Sequence, residues 1–332
     1  MDASHDDPTT PGAELRVDPV TGIPVIVAPG RSARPHTTAR PADATPPGGC
    51  PFCPGNEHET PPEVLRTGSG DADGPGWRVR VVPNLYPIVG GPGARPGATG
   101  AHEVVILSPD HDAPFGALTD DASIEVLTVL RDRVRAHLDA GHAHAQALIN
   151  HGRTAGASIA HPHAQVIAVD VVPPLVLERD QRAEALGADP LDLDLATARS
   201  ADCLVDEEGG AIAWCPPASG WPWGLRIAHA TPRPGFDATT DAEIAEVAVV
   251  LRRVLARLTN TIGPFAHNVI VHTAMADIPS GTLRWSVEVV PRLGVHAGFE
   301  LGTGILVNPM PPEAAASALR ASEPTCTSTS AP

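Results

Sequence analysis

In the stretch NHGRTAGASIAHPHAQVIAVD, residues 150 to 170, His161, His163 and Gln165 alternate directly ahead of an apolar run. Side chains of an extended chain alternate in direction, so if the β-branched run Gln165 to Val169 is a strand, these three polar heads point to one side. An unprotonated imidazole can attack phosphorus, and a carboxamide can donate a hydrogen bond to a phosphoryl oxygen. Upstream, Gly152, Ala155, Gly156, Ala157 and Ser158 are small enough to let backbone N–H groups approach an anion. The combination points to phosphate chemistry centred on an imidazole. A single histidine beside a strand is as often a surface or core residue. It is the spacing of the three that sets this stretch apart.

A second chemical cluster is GCPFCPGNE, where Cys50 and Cys53 form a Cys-x-x-Cys knuckle. Zinc takes four tetrahedral ligands, with thiolate and imidazole its preferred donors, and His111 of LSPDH and His161 could complete the set. The alternative is a thioredoxin-like redox pair, which should open a helix; the flanking prolines argue against one here.

Composition narrows the classes that could use such residues. The chain has 332 residues, 42% of them hydrophobic, which is enough for one large or two medium domains. No apolar run approaches 18 residues, and the polar opening MDASHDDPTTPG lacks the regions of a signal peptide, so a soluble, cytoplasmic protein is expected. A formal charge of -16 opposes non-specific binding to nucleic acid or to an anionic membrane. The chain contains no lysine, so an anionic substrate must be met by arginine. Five cysteines, an odd number, do not suggest a disulfide framework.

The elements that position these residues follow from periodicity. Strands are expected at Ile23 to Ala28, in WRVRVVP with Val79 and Val81 alternating against polar Arg78 and Arg80, in HEVVILS and in AQALIN. Between the last two, Ile124, Leu127, Val134 and Leu138 mark a helix from Asp120 to Ala140, with Thr119 placed to cap it and Gly141 to end it. The second half repeats this order. Thr240 and Glu243 make a capping box for a helix from Asp241 to Leu258, AHNVIVH answers AQALIN, and LRWSVEVV answers HPHAQVIAV. The fold expected is α+β, two copies of one unit, each an antiparallel sheet with a packed helix and its sites at one sheet edge. The copies would span 14–180 and 181–320, between tails 1–13 and 321–332 too poor in apolar residues to fold. Pro234, Arg284 and Ser286 of the second copy stand where the first has His111, His161 and His163. No metal or nucleophile is expected there, although Cys203, Cys215, His229 and His272 remain as isolated donors.

HPHAQ resembles the His-Pro-His-x-Gln signature of the galactose-1-phosphate uridylyltransferases, the transferase branch of the histidine triad superfamily. Further elements resemble the same family in the same order: the R-x-x-R-P loop with Arg31 and Arg34, the cysteine knuckle, the VPNLYP turn with Asn84, and the closing GFELGTGILVN with Phe299 and Glu300. The resemblance implies histidine-triad-like units and a covalent nucleotidyl intermediate on His163, with Gln165 steadying a phosphoryl oxygen. It also implies phosphate contacts from Arg31, Arg34, Asn150 and Ser158, a base contact from Asn84 and sugar contacts from Phe299 and Glu300. One structural zinc per chain on Cys50, Cys53, His111 and His161 is implied, as is a homodimer whose C-terminal segment reaches the partner's site.

The substrates implied are a nucleotide sugar and a sugar 1-phosphate. A UDP-glucose:hexose-1-phosphate uridylyltransferase is the leading expectation. An ADP-glucose phosphorylase or related adenylyltransferase, which shares the C-terminal element, is the second, and a catalytically idle nucleotide-binding module the third. Two departures stand out: no lysine lies upstream of the closing element to receive the incoming sugar phosphate, and the second half lacks the metal site that relatives often carry.

Overall fold

A computed structural model describes residues 12–33 and 49–323, apart from 92, 96 and 274–282; Arg34 and most of both tails lie outside the described residues. The first half contains β1 (Glu14–Val17), β2 (Pro24–Val27), β3 (Leu65–Gly68), β4 (Trp77–Pro83) and β5 (Gly100–Ile106), then helix α1 (Asp120–Asp139), β6 (His144–His151) and β7 (His163–Val169). Helices α2 (Pro174–Leu186) and α3 (Pro190–Ser200) lead into β8 (Leu204–Glu208), β9 (Ala211–Trp214), β10 (Leu225–His229), α4 (Asp241–Ile262), β11 (His267–His272) and β12 (Ser286–Pro291). The chain closes with α5 (Gly298–Thr303), β13 (Leu306–Asn308) and α6 (Pro312–Ala321). Among the described residues no helix is long and apolar enough to cross a membrane.

The helices end where the sequence provides caps. The Thr119 side chain accepts from the Ala122 N–H at the start of α1, and Thr240 and Glu243 form both bonds of a capping box on α4. Helix α4 runs four residues past the expected Leu258, to Ile262, and is followed by Gly263, which has φ +75°.

Ten strands form one antiparallel sheet in the order β3-β4-β5-β7-β6-β11-β12-β10-β9-β8, and β1, β2 and β13 form a small second sheet. The large sheet reads the same from both ends when β3, β4, β5, β7 and β6 are matched with β8, β9, β10, β12 and β11. The repeat is therefore built into a single sheet whose copies meet where β6 pairs with β11, with Asn150 opposite Asn268 and His151 opposite His267. This corrects the expectation of sites at a sheet edge. Strand β7 lies between β5 and β6, three strands in from the nearer edge, because each copy covers the other's inner edge.

One hydrophobic core spans both halves, with Val126, Leu127, Leu130 and Val134 of α1 packed together with Val247, Leu251, Val254 and Leu258 of α4. Ala164, Val166 and Ala168 of β7 face this core, so His163, Gln165 and Ile167 face the other side of the sheet. A smaller cluster of Cys50, Phe52, Trp77, Val82, Val104 and Ile106 covers part of that second side. Arg80, expected on a polar face, is buried instead. Its Nε lies 2.8 Å from Glu63 and its Nη2 2.9 Å from Asp73, which supply the opposite charge that makes burial tolerable.

The position of the second copy matched to His161 is filled by ion pairing. Arg284 donates its N–H to Asp189 at 2.8 Å and pairs with Asp192, while Arg179 donates to the Arg284 carbonyl. Nearby, buried Arg226 bonds Asp194 at 2.5 Å and Asp18 at 3.1 Å, and Trp214 Nε1 donates to the same Asp194 oxygen at 2.8 Å. Removing one member leaves buried partners unpaired. Asp194→Ala is thus expected to destabilise the protein by about 3 kcal/mol, read as a lowered denaturant midpoint at unchanged slope.

Candidate active site

The knuckle forms because Cys53 donates its backbone N–H to the Cys50 carbonyl at 3.1 Å, while Asn56 Nδ2 caps that carbonyl at 2.9 Å. No α-helix follows it; the next element is a short 3₁₀ turn at Glu57–Glu59, so the helix that a thioredoxin-like pair needs is missing. The thiols instead meet two imidazoles. One donor atom from each of Cys50, Cys53, His111 and His161 lies within 4.8 Å of the others, and Cys53 Sγ is 3.3 Å from His111 Nδ1 and 3.6 Å from His161 Nδ1. The other nitrogen of His161, Nε2, donates to the Ser108 carbonyl at 2.9 Å, which leaves the Nδ1 lone pair directed into the group. Burial and the adjacent Cys50 push the Cys53 thiol up to about 11. A cation at the centre of this group would hold it as thiolate. Two sulfurs and two imidazole nitrogens at this spacing fit a tetrahedral divalent metal such as zinc.

His161 also acts through its backbone. Its carbonyl lies 2.9 Å from His163 Nδ1, and since a carbonyl only accepts, Nδ1 carries the proton and Nε2 keeps its lone pair. Burial lowers the pKa of the His163 ring, outweighing the bond to His161, and so favours the neutral ring that a nucleophile requires. Phe52, one of the two residues between the knuckle cysteines, packs edge-on against His163 with ring centroids 5.3 Å apart. The knuckle therefore reaches His163 by two routes, directly through Phe52 and indirectly through His161, which Cys53 contacts and whose carbonyl holds the His163 ring.

Gln165 is on the same face as His163, and its Oε1 is 2.7 Å from His102 Nε2 on β5. Asn84 sits in a turn where its Oδ1 accepts from the Tyr86 N–H at 2.8 Å, and its Nδ2 lies 3.1 Å from the same His102 nitrogen. Asn150 accepts through Oδ1 from Asn268 Nδ2 at 2.7 Å, and Asn268 also donates to the Ala155 carbonyl at 2.8 Å. The second copy thus steadies the small-residue loop of the first. At Gly152, with φ +81°, a Cβ would lie 2.8 Å from Ala266 Cβ, so this crossing requires glycine. Ser158 is exposed in the loop.

The remaining expected contacts form a separate group. Arg31 follows β2 in a 3₁₀ turn, and Phe299 and Glu300 lie on α5. The Glu300 carboxyl is held below its ordinary range by backbone N–H groups, including that of Ala297, with His296 and Arg31 contributing charge. Among the described residues, none of these three bonds to His163, Gln165 or Asn150. Phe52, His102 and Asn268 were not singled out from the sequence. His102 and Asn268 lie within strands that were read correctly, on faces that the two-residue period could have assigned.

One copy of a duplicated antiparallel α+β fold thus holds a buried imidazole, protonated on Nδ1, beside a two-cysteine, two-histidine group. The family model described as the N-terminal domain of galactose-1-phosphate uridyl transferase matches residues 94–173. The chain is 30% identical over 327 residues to the ADP-glucose phosphorylase of Arabidopsis thaliana, covering 92% of each chain. It is 25% identical over 303 residues to the galactose-1-phosphate uridylyltransferase of Streptomyces lividans, covering 88% of this chain and 78% of that one. The crystal structure of the Arabidopsis thaliana ADP-glucose phosphorylase with bound ADP-glucose superposes with a TM-score of 0.81 at 29% identity, covering 93% of this chain and 98% of that one. The chain belongs to the galactose-1-phosphate uridylyltransferase family, a family of nucleotidyltransferases.

Proposed function

We propose that the protein transfers a nucleotidyl group from a nucleotide sugar through a covalent intermediate on His163. The observation that carries this reading is the bond from His163 Nδ1 to the His161 carbonyl, which leaves a buried, unprotonated Nε2 as nucleophile. In the first step an Nε2–P bond forms at the α-phosphorus, the bond from that phosphorus to the bridging oxygen breaks, and sugar 1-phosphate leaves with the electron pair. In the second, an oxygen of an acceptor phosphate attacks the same phosphorus and His163 is released. A phosphate leaving group with a second pKa of about 6 needs no proton from the enzyme. Gln165, which can donate a hydrogen bond but not act as an acid, fits that requirement. Arg31, Arg34, Asn150 and Ser158 would contact phosphates, Asn84 the base, and Phe299 and Glu300 the sugar. Zinc on Cys50, Cys53, His111 and His161 would serve to fix the His161 backbone and the knuckle.

For the substrates, the likeness to ADP-glucose phosphorylase over 92% of both chains supports an ADP-sugar as donor and inorganic phosphate as acceptor. Inorganic phosphate also agrees with the missing acceptor lysine. UDP-glucose and a hexose 1-phosphate are the second reading, which the family model and the Streptomyces lividans relative support. A panel of UDP- and ADP-sugars against sugar phosphates and inorganic phosphate, read by nucleotide exchange, tests both. ADP-glucose with phosphate is expected to turn over fastest, giving ADP and glucose 1-phosphate. Faster exchange between UDP-glucose and a hexose 1-phosphate would reverse the assignment of base and acceptor, and no exchange with any pair would remove nucleotidyl transfer itself.

A homodimer with shared sites belongs to the same proposal. Val295 and Leu301, flanking Phe299, are 94% and 76% exposed, an apolar display that supports a partner surface. Sedimentation is expected to give a dimer at assay concentration. Leu301→Asp is expected to weaken it and to lower transfer about tenfold; a fully active monomer would contradict this.

A further inference from the structure

We propose that His102 is a positioning residue that fixes the orientation of the Gln165 carboxamide, holding its NH2 toward the reacting phosphate and its carbonyl away. This rests on the reading of Gln165 as a phosphoryl contact. His102 and Gln165 lie on the paired strands β5 and β7, where Val104 is opposite Gln165, so the two side chains are diagonal neighbours on the His163 face.

The proton positions follow from the partners. His102 Nδ1 lies 3.2 Å from the backbone nitrogen of Ile88. That N–H can only donate, so Nδ1 accepts. The one proton of the neutral ring is then on Nε2, which donates to Gln165 Oε1 at 2.7 Å. Burial favours the neutral ring. With its carbonyl engaged, Gln165 turns its NH2 to the opposite side, and only that group can donate to a phosphoryl oxygen. Without His102, two amide orientations related by a 180° rotation compete, and one of them sets carbonyl oxygen against phosphoryl oxygen. Asn84 Nδ2 also lies 3.1 Å from this nitrogen, but an amide NH2 is itself a donor, so of the two amides only the closer Gln165 carbonyl can accept the Nε2 proton. Asn84 and Ile88 flank His102 from one turn: the Asn84 N–H donates to the His102 carbonyl at 2.8 Å, and the Ile88 N–H sets the ring. His102 and His163 thus carry their protons on opposite ring nitrogens.

The test measures single-turnover formation of nucleotidyl-enzyme from ADP-glucose, with substrate dissociation constants taken in parallel. His102→Leu is expected to slow nucleotidylation about tenfold with the dissociation constant changed by less than about twofold. His102→Gln, whose Nε2 can donate from nearly the same place, is expected to recover to within about threefold of wild type. In a Gln165→Ala background, His102→Leu should cost nothing further. An equal loss in both backgrounds would overturn the proposal. A wild-type rate in Gln165→Ala alone would instead remove the role of Gln165 and the proposal with it. Imidazole nitrogen NMR of the wild-type protein, which needs no variant to fold, should report His102 protonated on Nε2; protonation on Nδ1 overturns the inference.

Discussion

Replacing His163 with glycine is expected to lower nucleotidyl transfer by roughly 10⁴-fold or more, the scale on which removing a covalent nucleophile is felt. Glutamine and asparagine amides cannot take over the attack, and His161 has Nε2 committed to Ser108 and Nδ1 turned into the cysteine group. The wild-type protein incubated with base-labelled nucleotide sugar should retain one acid-labile nucleotide, and initial rates with two substrates should follow ping-pong kinetics. His163→Gly should retain no label while keeping its circular dichroism, because the vacated volume lies at the start of β7, against Phe52, and not in the main core. Added imidazole can occupy that volume and restore part of the transfer. Full exchange by the variant without imidazole would show that some other group attacks phosphorus.

Local features were legible in the sequence because local rules fix them. Thr119, Thr240 and Glu243 announced where helices begin, and the alternation of His161, His163 and Gln165 announced a shared face. The cysteine turn announced a metal-like donor pair, and the Nδ1–carbonyl bond that orders His163 uses the histidine two residues before it. Features that depend on which strand lies beside which were not legible. The pairing of Gln165 with His102 joins residues on different strands across the whole of α1 and β6, and the spacing within β7 says nothing of its neighbour. The same is true of Asn150 and Asn268, and of the merging of two expected sheets into one. Arg80 was misread because alternation predicts which side a residue faces but not whether Glu63 and Asp73 will cover that side. Helices α2 and α3 were missed despite Pro174 and Pro190 at their first positions, Gly187 after α2 and Asp189 capping α3. Their apolar stripes are weak because charged residues take some of their buried positions: Arg179 of α2 pairs with Asp189, and Asp194 of α3 pairs with Arg226.

Removing the metal should act on catalysis without touching a reacting atom. Purified protein is expected to contain one zinc, or a similar divalent ion, per chain, with none in the second half, where Arg284 stands in place of His161 and pairs with Asp189. Cys53→Ser removes a donor that contacts His111 and His161 but not His163. Loss of the ion would free the His161 side chain, and with it the carbonyl that holds the proton on His163 Nδ1. Changes of this kind, one step removed from the reacting group, cost about 10–100-fold in activity. Transfer by Cys53→Ser, or by protein treated with a strong chelator, is expected to fall within that range, and zinc should restore the chelated wild type but not the variant. Labelling of His163 should slow in proportion, since the same step is affected. Elemental analysis giving two ions per chain would contradict the assignment of the second half, and unchanged transfer in metal-free protein would mean that the His161 carbonyl is held by the loop alone.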